Sequence, residues 1–160
     1  PGGTVVMTDG LAEATAKSGL PDDALLGVLA HELGHVMHRH TTRMLVEQGV
    51  LNVGLGLALG DVSSVVFMGT SLLTGLAYRR NHETEADCFA LALMQRAQRP
   101  TAPMGTLLLA IDGAQGGQPK GDSDDKKTAS RAHGAWEWLS SHPDTRQRAL
   151  RLQQGQASGC

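Results

Sequence analysis

Three observations predict a mainly α-helical α+β fold for this chain of 160 residues. Two segments carry strong helical periodicity, residues 22 into the low forties and Tyr78 to Ala97. A β-branched opening, "GTVVMT", reads as a strand closed by the turn pair Asp9-Gly10. Composition allows a real core in a single domain spanning 1–160. With 14 basic against 16 acidic residues spread along the chain, no basic stripe argues for a nucleic-acid partner. Two cysteines, Cys88 and Cys160, are too few for a disulfide framework, and Cys88 reads as a small buried apolar residue, with a regulated thiol as the alternative. The opening lacks an initiator methionine and a signal-like segment, so the chain reads as part of a longer precursor.

After the strand, a short helix is expected over Leu11 to Lys17. "SGLPDD" interrupts it and starts the next, since Pro21 suits a first helical turn and Asp22 and Asp23 complement the positive end of the helix dipole. Residues 49–76 are apolar and Gly-rich, with Asp61 as their only charge. One spanning helix needs about twenty apolar residues, and an Asp at its centre costs about 2.5–3.5 kcal/mol. A single crossing would also separate residues before and after it that must meet, so this stretch is expected as an insert of two short helices packed over the domain, with at most a peripheral membrane contact. Asp112 to Ser130 reads as a mobile polar loop covering 112–130. A turn at His142-Pro143 and a final helix close the chain.

The chemistry concentrates in "LAHELGHVMHRH", residues 29–40. On a helix of about 3.6 residues per turn, His31 and His35 stack on one face, continued by Ala24, Gly27 and Val28. Leu25, Leu26, Leu29, Leu33, Val36 and Met37 form the apolar stripe expected to face the core, leaving the histidine face to look into a cleft. Two imidazoles one turn apart can share a zinc ion, and Glu32 beside them can act as a general base, the HExxH pattern. His38 is expected behind the ligands or in solvent, and His40 and Arg39 on the surface.

A catalytic zinc takes three protein ligands and leaves one position open. "RRNHETEAD" offers Glu83 and Asp87 on one helical face, with Glu85 roughly opposite. Glu83 is thus the expected third ligand. Asp87 is placed to accept the free N–H of a ligand histidine. His82 and Glu85 are expected to be solvated.

These motifs together, "HELGH" and "ETEAD" with "PGGTVVMTDGL" before and "SSHPDTRQR" after, resemble the gluzincin family of the CAAX prenyl proteases and the bacterial heat-shock membrane metalloproteases. Within that family the chain more closely resembles compact members of the bacterial cell envelope. The resemblance implies a minigluzincin-like catalytic domain with a small sheet at its N-terminal end and the two motif helices facing one another. It implies one zinc per chain on His31, His35 and Glu83, with Glu32 as general base and Asp87 behind the ligands. It further implies His142 near the metal, steadying the substrate oxyanion or closing the fourth position, and Arg148 as the family's arginine six residues later. The implied activity is zinc-dependent endopeptidase cleavage of unfolded or misassembled polypeptides in the bacterial envelope. The strand near Thr4 to Thr8 is a candidate edge for an extended substrate. A latent or chaperone-like zinc protein that binds envelope clients with little cleavage is the alternative. Oligomeric state is not legible.

Overall fold

The computed structural model describes residues 3–59, 65–116, 142, 145–157 and 159–160. Among the described residues, six helices make up the regular structure: α1 (Asp9–Lys17), α2 (Asp23–Met37), α3 (His40–Leu59), α4 (Val65–Arg96), α5 (Ala102–Gly116) and α6 (Thr145–Gln153). The mainly helical expectation holds. Among the described residues there is no strand, so the expected sheet is not found. The β-branched run at Thr4 to Thr8 has strand propensity, but a strand also needs a neighbour to complete its hydrogen-bond ladder. Val6 and Met7 are exposed.

Local chemistry explains the helix ends. The Thr8 side chain caps α1 by accepting from the backbone N–H of Leu11, and Gly19 takes the left-handed φ of 62° just beyond its end. The helix expected to run from residue 22 into the low forties stops at Met37. Arg39 adopts φ 54°, and α3 starts afresh at His40. α4 ends ahead of Gln98, also at φ 54°, and Pro100. α5 begins right after Thr101 and carries Met104, Leu107, Leu108 and Ile111, all buried. The core forms where these meet Leu11, Val28, Leu91 and Leu152.

The apolar stretch 49–76 does not fold as a separate pair of short helices. Its described parts are the end of the 20-residue α3 and the start of the 32-residue α4, the helix that also carries Glu83. No helix among the described residues is long and apolar enough to cross a membrane. Val46, Val50, Val53 and Leu57 nevertheless line one face of α3, each at least 60% exposed. Of the expected loop 112–130, residues 112–116 belong to α5 and the rest lie outside the described residues.

The buried side of α2 is the reverse of the one expected. Ala24, Gly27, Val28, His31 and Gly34 face inward, while Leu26, Leu33 and Met37 are exposed. The reason is close helix packing on small residues. A Cβ at Gly27 would lie 2.6 Å from Met104 Cβ on α5, and one at Gly34 would lie 2.9 Å from Ala86 Cα on α4. α5 and α6 meet just as closely at Gly105, where a Cβ would stand 2.4 Å from the Ala149 carbonyl oxygen.

Cys88 is not a free apolar residue. It forms a disulfide with Cys160, 72 positions away, fastening the C-terminal segment to α4. Closing a loop of that size removes unfolded-state entropy worth about 4 kcal/mol in the chain-entropy account. Cys160→Ser is therefore expected to lower the urea midpoint, and reductant is expected to reproduce the loss in the wild type only. Equal midpoints for the two proteins would refute this.

Candidate metal centre

The close approach of α2 and α4 at Gly34 puts His31 and His35 opposite Glu83. Their polar atoms converge on one point. His31 Nε2 and His35 Nε2 are 3.0 Å apart, His31 Nε2 is 3.4 Å from Glu83 Oε2, and His35 Nε2 is 3.3 Å from Glu83 Oε1. A tetrahedral ion with ligand bonds near 2.05 Å has its ligand atoms about 3.3 Å apart. The three edges thus fit zinc. Charge agrees with geometry: Glu83 and Asp87 against Arg148, two negatives and one positive, leave one buried negative charge. Glu83 is held well below the usual carboxylate range. Burial opposes its charge, but hydrogen bonds with His31 and His35 and the guanidinium of Arg148 outweigh it.

Behind this triangle, Asp87 Oδ1 lies 2.9 Å from His31 Nδ1, which orients that ring with Nε2 toward Glu83. α6 supplies Arg148. Its Nε and Nη2 donate to the two oxygens of Asp87, each at 2.7 Å, and its Nη1 donates to Glu83 Oε2. Burial works against the Asp87 charge as well, and the bonds from Arg148 and His31 depress its pKa regardless. One guanidinium therefore ties both carboxylates together in a buried array.

His142 and Glu32 stand on the remaining side. The His142 ring centroid is 5.3 Å from those of both His31 and His35, and its Nε2 lies 3.4 Å from Glu32 Oε1. His31, His35, Glu83 and His142 each offer a ligand atom within 4.8 Å of the others. Glu32 keeps a quarter of its side chain exposed, as a group facing an open site would.

Two expectations fail nearby. His40 is 4% exposed rather than on the surface, with Nδ1 2.7 Å from His35 Nδ1 and Nε2 3.2 Å from Glu85 Oε2. Burial pushes its pKa down to about 4, against the pull of Glu85. His82 is buried too, stacked on His40 with ring centroids 4.5 Å apart and Nε2 3.5 Å from Glu47 Oε2. Glu85, although partly exposed, is engaged by Arg43, whose Nη1 donates to Oε2 at 2.6 Å. His38 is the exposed member, 41% accessible and 3.7 Å from Glu85. The signal that could have found His40 is its place directly after a short non-helical step, which frees it from the periodicity of α2.

Comparison with known proteins bears on the whole chain. The family model of peptidase family M48 matches residues 1–155. The mitochondrial metalloendopeptidase OMA1 of Saccharomyces cerevisiae is 35% identical over 100 residues, 61% of this chain and 28% of that protein. OMA1 of Schizosaccharomyces pombe is 28% identical over 159 residues, 96% of this chain and 41% of that protein. The chain thus spans less than half the length of these relatives, whose names place them in mitochondria and not in a bacterial envelope. No solved structure matches it. A helical frame in which HExxH and ExxxD converge, together with a match across nearly every residue, leads to one conclusion: the chain belongs to peptidase family M48.

Proposed function

We propose that this chain is a zinc metalloendopeptidase acting on unfolded or misassembled polypeptides. The observation that carries the reading is the triangle of His31, His35 and Glu83, whose 3.0–3.4 Å edges fit one tetrahedral zinc. Glu32 beside it supports catalysis over a purely structural site, which would need no adjacent base. Zinc, when bound, supplies Lewis-acid polarisation of a carbonyl and acidifies a water molecule. Glu32 takes the proton of the attacking water and hands it to the leaving amine as the peptide bond breaks. The Nε2–H of His142 donates to the oxygen on which negative charge develops. The exposed segment around Val6 offers backbone groups to a substrate lying alongside as a strand, which favours unfolded chains.

Zinc-dependent hydrolysis of unfolded casein tests this. Cleavage should stop on chelation, return with one equivalent of zinc, and be much slower on a tightly folded substrate. One observation favours a second reading, a latent protein: His142 belongs to the four-residue group that could surround a metal. In that case His142→Ala would start cleavage that the wild type lacks, whereas an oxyanion role predicts a loss of about 10²–10³-fold.

The disulfide supports an oxidising compartment such as the bacterial envelope. The exposed apolar face of α3 supports a peripheral membrane contact. Wild-type protein should then co-sediment with phospholipid vesicles and Val50→Asp/Leu57→Asp should stay in the supernatant. Equal partitioning of the two would remove the membrane from the account.

A further inference from the structure

We propose that His40 is a positioning residue for the metal ligand His35, held in the required tautomer by Glu85 and Arg43. The inference rests on the zinc reading above and follows from where protons can sit. His35 points Nε2 at His31 and Glu83, so Nε2 is its ligand atom and Nδ1 carries the hydrogen. Among the described residues, the partner of that N–H is His40 Nδ1, at 2.7 Å, which must accept through its lone pair. His40 then bears its own proton on Nε2, which donates to Glu85 Oε2 at 3.2 Å. Arg43 grips the same carboxylate, Nη1 at 2.6 Å from Oε2 and Nη2 at 3.4 Å from Oε1. Each imidazole N–H along this chain of four side chains faces an acceptor, and the order of roles is fixed from the metal outward.

The ring is held as firmly as its protons. His40 stacks with both His82 and His38, each within 13° of parallel, with centroids 4.5 and 5.5 Å away. The break at Arg39 makes the contact possible. Five positions along an unbroken helix would leave residue 40 about 140° around from His35, facing away from it. The left-handed step at Arg39 returns the chain so that the first residue of α3 lies against the last turn of α2. His31 is oriented by a carboxylate directly, through Asp87, and His35 by a carboxylate acting through an intervening imidazole. Such an outer partner raises the basicity of its ligand and fixes the ring, and its loss typically weakens metal binding about 10–100-fold.

His38, His40 and Glu85 also cluster closely enough to hold a cation of their own. Arg43 already places its charge on Glu85 Oε2, so the observations favour the positioning role.

Zinc affinity, measured by competition with a chromophoric chelator, separates the possibilities. The comparison uses wild type, His40→Leu and His40→Asn, with far-UV circular dichroism to verify folding. Leucine fills the space without an acceptor and should weaken zinc binding about 10–100-fold. Asparagine sets Oδ1 where Nδ1 stood, so His40→Asn should stay within about threefold of wild type under the same rule. Unchanged affinity in His40→Leu would overturn the proposal, as would an equal loss in both variants or a second bound zinc that only His40→Leu abolishes. A wild type that binds no zinc would instead sink the metalloprotease reading itself. Should His40→Leu fail to fold, the half-exposed Glu85 carries the test: Glu85→Ala should weaken zinc about 3–10-fold and Glu85→Gln, which keeps an acceptor, should restore it. Equal affinities in that pair would overturn the proposal.

Discussion

Replacing Arg148 by methionine is expected to destabilise the protein by about 3–5 kcal/mol, because it leaves two buried carboxylates facing one another without their cation. Asp87 and Glu83 are each no more than 4% exposed, and Arg148 donates to both. In a chain of this size that loss lowers the melting temperature by on the order of 10 °C. Zinc should recover part of it, since a dication at His31, His35 and Glu83 replaces the missing positive charge. The pH dependence gives a second signature. Glu83 and Asp87 have native pKa values depressed below their ordinary 4.5 and 3.8. Their contribution is therefore complete above about pH 4.5 and is lost as pH falls through the native values. In Arg148→Met the depression shrinks, so metal-free variant and wild type should converge in stability on acidification. Thermal melts from pH 7 to pH 3 check both statements. A shift under about 2 °C at pH 7 would show that the array is not what holds α4 to α6.

Glu32→Gln is expected to lower casein hydrolysis about 10²–10⁴-fold while leaving zinc content unchanged. The amide keeps the shape of the side chain and cannot take a proton from water. Glu32 is not among the three converging ligand atoms, so metal retention separates its role from theirs. Loss of zinc together with activity would make Glu32 a structural member of the site instead.

Much of the candidate site was legible because helical spacing is a local property. His31 and His35 share a face wherever α2 lies, and so do Glu83 and Asp87 on α4. The same rule placed Glu85 away from them, and the structure finds it turned toward Arg43 and His40. What could not be read depends on distant partners or on breaks in periodicity. His40 looked like a surface residue because the helix was continued through Arg39, where the chain turns left-handed. The disulfide joins positions 72 apart and leaves no local trace. The inward face of α2 was misassigned because bulky apolar residues were counted as core, whereas Ala24, Gly27 and Gly34 admit α4 and α5. α5 was not recognised, although Leu107, Leu108 and Ile111 recur at helical spacing just after Pro100. A β-branched opening suggested a sheet, but among the described residues no neighbouring strand completes one.

The account turns on what surrounds the metal, and zinc-edge X-ray absorption on the zinc-loaded protein addresses that directly. It should report one zinc per chain with two imidazoles and one carboxylate at about 2.0–2.2 Å and one position left to solvent. A shell filled by protein groups alone, or a chain that holds no zinc, would contradict it.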